Sequence, residues 1–273
     1  MTLPEFPVRV SPRLGLCCAF VDQSDFKFRT TTVAHLSRLA ATGERAAFAF
    51  YEQIIVENLA VLARVVAWCA DSGIHAFRIN SDLWPRATHP LVAPWVEELF
   101  PREDIQAQNT RVRDLARARD IRLSEHPDQF LVGNSLRNDV VVSTIAELEW
   151  RGRLGDALGV DVICLHILPT CLAWNIPLVY DAHHHRVLRD SLSEEDATEL
   201  AIASWGNREP YFHLSSPREG WDTGDARPHH ELIEPTDWPD VWTSLWEAGV
   251  PFTVDIEARA KERAVFAVRA LFQ

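Results

Sequence analysis

Histidines and carboxylates fall at or just past the ends of short apolar runs along most of this chain. They are Asp82 after "FRIN", His126 in "SEHPDQF", His166 in "CLHI", Asp181 and His184 in "YDAHHH", His213 in "YFHLSS", His229 in "RPHHELI" and Glu257 in "VDIEARAKE". Imidazole and carboxylate donors without thiolates suit manganese, zinc or iron, and more than four donors imply more than one ion. Two or three divalent ions held in this way could activate a water and stabilise the oxygens of an in-line phosphoryl displacement. Within the set, Glu257 and His213 are the candidates for the catalytic step. A lone histidine at the end of an apolar run is more often a satisfied core or loop residue. The same feature at six of seven runs is harder to explain that way. In "HHH", read as extended chain, alternate side chains leave on opposite sides, so only one or two can join the set; His184 ranks first, then His183, then His185. His35, His75 and His89 hold no comparable position and are set aside.

The stretch "HPDQFLVGN" places the Gln129 amide beside the Phe130 ring in a loop after an apolar run. Such a pair could wedge into a nucleic-acid stack, the amide pairing with an orphaned base and the ring replacing a stacking partner. Spacing alone equally allows Phe130 to fold back as the loop's own anchor.

The elements that must position these residues alternate regularly. Seven apolar runs read as strands: Leu14 to Ala19, Ile74 to Asn80, Ile121 to Ser124, Val162 to Ile167, Ile176 to Tyr180, Pro210 to Leu214 and Val250 to Ile256. Between them, "VENLAVLARVVAWCADSG", "NTRVRDLARARD" and "VVVSTIAELEWRGRLGDALG" carry apolar residues at helical spacing, and "SLSEEDATELAIAS" opens on a capping serine, Ser193. Strands alternating with helices imply a parallel sheet covered on both faces. At this length the leading form is an α/β, TIM-barrel-like (β/α)8 fold, in one domain over residues 1–273. Seven strands are one too few, and the eight residues from Leu168 to Asn175 are too short for a parallel crossover. One β/α unit is therefore expected to be missing between residues 167 and 176.

Composition sets the remaining bounds. At 273 residues, 47% hydrophobic and 24% charged, the chain reads as globular rather than disordered or fibrous. It shows no uninterrupted apolar run near the length of a membrane span and no signal-peptide pattern, so a cytoplasmic protein without a membrane partner is expected, as a monomer. Five cysteines without C-x-x-C spacing fit a reducing compartment. The net charge of −12 argues against a non-specific nucleic-acid coat, yet allows a local basic groove beside a carboxylate cluster whose charge bound metals would offset. The only lysines are Lys27 and Lys261, so nearly all the basic residues are arginine.

In order and spacing, "RLGLCCAF", "FRINSDLWPRATHP", "RLSEHPDQF", "LVYDAHHHR", "FHLSSPREGW", "RPHHELI" and "VDIEARAKE" resemble the UV damage endonucleases along nearly the whole chain. The resemblance implies a (β/α)8 barrel related to the apurinic endonucleases, with a cluster of two or three manganese ions. It also implies damaged double-stranded DNA as the partner, cut on the 5′ side of ultraviolet photoproducts. It puts metal ligands at His126, His166, Asp181, His184, His213, His229 and Glu257, with Asp82 where the family varies, and lesion probing at Gln129 and Phe130. Leu16 and Phe20 stand where the family often has Tyr and Asn, and the probe ring is Phe rather than Tyr. The segment absent after His166 carries, in the family, a glutamate that bridges metals. Two alternatives follow: a non-catalytic descendant that still binds damaged DNA, and a metal-dependent sugar isomerase or epimerase on the same scaffold.

Overall fold

The structure, a computed structural model, describes residues 12–127, 137–164, 176–188 and 191–271. In chain order its elements are β1 (Arg13–Cys17), α1 (Val33–Thr42), α2 (Glu44–Asp71), β2 (Ala76–Ile79), α3 (Ala93–Leu99), α4 (Glu103–Ala118), β3 (Arg122–Glu125) and α5 (Asn138–Leu158). They continue with β4 (Val162–Ile163), β5 (Tyr180–Asp181), α6 (Ala182–Leu188), α7 (Glu194–Trp205), β6 (Tyr211–Leu214), α8 (Asp240–Glu247), β7 (Thr253–Ile256) and α9 (Glu262–Leu271). Contacts group the described residues into two compact units, one within 25–72 and 79–164, the other within 12–24, 73–78 and 176–271. Both are interleaved along the sequence, so no linker marks them, and one boundary falls inside β2.

In the first unit, α2 packs on α1 and α4, and α4 on α5. Their core is aliphatic, with Ile54, Ile55, Leu59, Leu62 and Val66 buried, and aromatic, with Trp84, Phe100 and Trp150 in mutual edge contact at 5.1–5.9 Å. By length and composition α2 could cross a membrane, a property that a search for uninterrupted apolar runs passes over because Glu52, Glu57 and Arg64 break it; more than half of its most apolar window is buried within the protein. Asn58, buried midway along α2, accepts from the Arg29 amide at 2.7 Å and donates to the carbonyls of Arg29, Asp82 and Leu83. A helix side chain thus satisfies loop groups that would otherwise be buried without partners. β3 pairs parallel with β4, Ser124 opposite Val162 and Glu125 opposite Ile163.

In the second unit the parallel strands run β2-β1-β7-β6-β5. β1 is buried along its length, as a strand flanked on both sides must be. Phe212 stacks on Trp242 at 4.9 Å, with Phe252 beside both, and holds α8 to the sheet.

Two local expectations are corrected. The run Ile176 to Tyr180 is strand only from Tyr180, because Pro177 has no N–H to donate and α7 takes over the neighbouring backbone groups. Ser204 Oγ accepts from the Leu178 amide, and Trp205 Nε1 donates to the Leu178 carbonyl, both at 2.8 Å. "HHH" is not extended but lies in the first turns of α6, so its side chains fan out at about 100° per residue. Ser193 caps α7, accepting from the Asp196 amide at 3.0 Å.

Candidate metal centre

Strand register assembles the centre. Asp181 of β5 lies opposite His213 of β6, and His213 opposite Asp255 of β7. Glu257, two residues beyond Asp255, leaves on the same side. Donor atoms of Asp181, His213 and Glu257 all lie within 4.8 Å of one another. His213 Nδ1 is 3.4 Å from Glu257 Oε1 and 3.7 Å from Asp181 Oδ2. The turn into α6 adds His184, whose Nδ1 is 3.1 Å from Asp181 Oδ2 and whose amide donates to Asp181 Oδ1 at 2.9 Å.

The electrostatics keep both acids ionised. Burial pushes the Asp181 carboxyl upward, but the neighbouring His184 and His213 imidazoles outweigh it and hold the group well below the usual carboxylate range. Glu257 shows the same contest: burial raises it, while the charges of Arg78 and His213 prevail and lower it. Arg78 NH1 pairs with Glu257 Oε1 at 2.5 Å. The Asp181 hydrogen bond raises His184.

Around this set lie further imidazoles. His229 sits in the 217–230 loop, fastened by the pairing of Pro217 with His229 and by Arg218 donating to the Pro228 carbonyl at 2.8 Å. Its ring is 5.3 Å from that of His183 and 6.3 Å from that of His184. His183 is fully buried, with Nδ1 3.3 Å from the Ser215 carbonyl oxygen, and burial lowers its pKa. His185 turns away to the Tyr180 hydroxyl at 2.7 Å.

Asp82 and His126 belong to the first unit. Asp82 follows β2 in a short helical turn, its carboxylate accepting from Thr30 Oγ1 at 2.8 Å. His126 directly follows β3, its Nδ1 2.6 Å from the Pro127 carbonyl oxygen. His166, Gln129 and Phe130 lie outside the described residues.

The donor set suits a divalent ion in kind: the His213 nitrogen stands 3.4 and 3.7 Å from two ionised carboxylate oxygens, near the spacing of neighbouring donors on one ion held at about 2.0–2.3 Å. Reading strand ends alone passes over Arg78 and Asp255, which lie within strands. Their signal was a charge at an interior strand position, and for Asp255 the two-residue spacing to Glu257.

The chain matches the family described as UV-endonuclease UvdE over residues 12–167 and 162–272. It is 28% identical to a UV DNA damage endonuclease of Deinococcus radiodurans over 313 aligned positions, covering 95% of each protein. With a UV DNA damage endonuclease of a Nostoc species it shares 23% identity, covering 95% of this chain and 90% of the other. The crystal structure of SacUVDE superposes with a TM-score of 0.72 at 20% identity, covering 95% of this chain and 99% of that one. That likeness shows the fold, an α/β, TIM-barrel-like arrangement of parallel strands and helices. The Deinococcus alignment is longer than the 273 residues of this chain, so that relative carries stretches with no counterpart here. The family match breaks and restarts within 162–167, where the short connection begins.

Proposed function

The chain belongs to the UV-endonuclease UvdE family, and from that premise we propose that it is a metal-dependent DNA repair endonuclease that nicks the backbone on the 5′ side of ultraviolet photoproducts. The observation that carries the proposal is the convergence of Asp181, His213 and Glu257, with His184 on Asp181. These residues and His229 would hold divalent ions, manganese first. Bound there, the ions supply Lewis acidity toward a phosphodiester and its attacking water. The chain's own part is to bring negative donors already ionised and to position them. Glu257, kept ionised beside Arg78, can accept a proton at Oε1 or Oε2, and His213 orients that carboxylate from 3.4 Å. Gln129 and Phe130 would probe the lesion, and damaged double-stranded DNA is the partner of a cytoplasmic monomer.

The positions that the Deinococcus relative has and this chain lacks favour a second reading, in which the chain binds damaged DNA with little cutting. Nicking of irradiated plasmid with manganese or with chelator, beside binding to irradiated duplex, separates the two. Manganese-dependent nicking supports the endonuclease, and binding without nicking supports the second reading. With neither activity, both fail.

A further inference from the structure

Asp255 is fully buried within β7, and among the described residues neither of its carboxylate oxygens has a hydrogen-bond partner. A buried carboxylate left in that state is costly, so donors facing it matter. Among the described residues two face it: Arg78 Nε at 3.8 Å, without a hydrogen-bond partner there, and His213 Nε2 at 3.9 Å. The His213 ring therefore stands between two acidic groups, Nδ1 toward Glu257 and Asp181 and Nε2 toward Asp255. β1 makes room for this carboxylate. Gly15 lies opposite Asp255 in the ladder, and a Cβ there would sit 2.2 Å from Asp255 Oδ1. Arg78 is already engaged by Glu257 at 2.5 Å, so a counter-ion role for Arg78 does not by itself account for a second acid.

We infer that Asp255 is a positioning residue for His213: it accepts the Nε2–H and thereby fixes Nδ1 as the nitrogen presented to the Asp181–Glu257 donor set. A ring movement of about 1 Å brings the 3.9 Å separation to ordinary hydrogen-bond length. Imidazoles that ligate a metal commonly hand their other N–H to a carboxylate, which sets the tautomer and ring direction. The inference rests on the proposed metal centre and adds a residue behind it.

The test uses the full chain loaded with diamagnetic zinc, with His213 imidazole nitrogens followed by NMR, and zinc and manganese dissociation constants measured by titration. In the wild type, Nδ1 is expected to carry the ion while the Nε2 proton exchanges slowly; this readout needs no substitution. Asp255→Leu should weaken ion binding 10–100-fold and speed that exchange. Asp255→Asn, which keeps an acceptor oxygen, should restore most of both. In a His213→Ala background, Asp255→Leu should change affinity less than about two-fold, because the residue acts through the ring. Ligation through Nε2, wild-type affinity in Asp255→Leu, or an undiminished effect without His213 overturns the inference. A wild-type chain that binds neither ion overturns the metal centre itself, a result distinct from binding that ignores Asp255.

Discussion

Gly15 and Asp255 face each other across β1 and β7, and the missing side chain of one is the space occupied by the other. Gly15→Ala should therefore displace the Asp255 carboxylate, lowering stability by about 1–3 kcal/mol, as overpacked cores do, and weakening ion binding as well. Urea unfolding and metal titration check this; a variant with unchanged affinity would detach Asp255 from the centre. Arg78 offers a second measurement. It is the buried cation beside Glu257 and Asp255, so Arg78→Met should cost about 3–5 kcal/mol in chelator. With saturating manganese the loss should shrink, because a bound cation replaces the missing charge. Equal losses with and without manganese would show that ion and arginine do not share these carboxylates. At this scale Asp181 and Glu257 were legible because they fall at or just past a strand end, where side chains converge, and His213 because an imidazole is itself a ligand type, although it holds the same penultimate strand position as Asp255. Arg78 and Asp255 were not, since a charge inside a strand gains its meaning only from the register with neighbouring strands.

Among the elements, α5 is tied to β3 by charge rather than by packing alone. Arg151 donates to Glu125 at 2.6 Å and Glu147 at 2.7 Å, and reaches the Ser81 carbonyl at 3.3 Å; Arg151 and Glu125 are buried. Arg151→Met strands the Glu125 charge and should destabilise the chain by about 3–5 kcal/mol at neutral pH, with much of the loss recovered in Arg151→Met/Glu125→Gln. Burial already raises the Glu125 carboxyl above its ordinary value against the pull of Arg151. The folded chain thus takes up that proton first as pH falls, so the single variant should regain stability toward acid. Urea unfolding across pH measures both effects; a double variant no better than the single one would deny the coupling. Helices α5 and α7 were legible from apolar period and termini, Gly159 ending one in a left-handed conformation and Ser193 capping the other. The strand expected at Ile176 was not legible as loop, because its apolar run hides both the missing N–H of Pro177 and the side chains of Ser204 and Trp205, which come from a distant helix.

For the whole molecule, the question is what a short chain does with a family's chemistry. Spacing alone signals a missing unit, since eight residues cannot carry a parallel crossover. The comparisons agree: the family match restarts at 162–167, and the Deinococcus relative has positions for which this chain offers nothing. The surviving strands next to the connection are short, β4 and β5 having two residues each. Each pairs with its partner inside its own unit, β4 with β3 and β5 with β6. Short strands carry few ladder bonds and little buried area, so an added β/α unit here should raise stability. Replacing residues 167–175 with a family-type segment that carries the glutamate implied by the resemblance should raise the unfolding temperature, tighten manganese binding and speed nicking of irradiated plasmid. Asp181, His213 and Glu257 need no part of that stretch to converge, so the unaltered chain should still bind at least one ion, but more weakly. If it binds manganese and cuts as well as the grafted chain, the remaining donors suffice, and the short connection has no catalytic consequence.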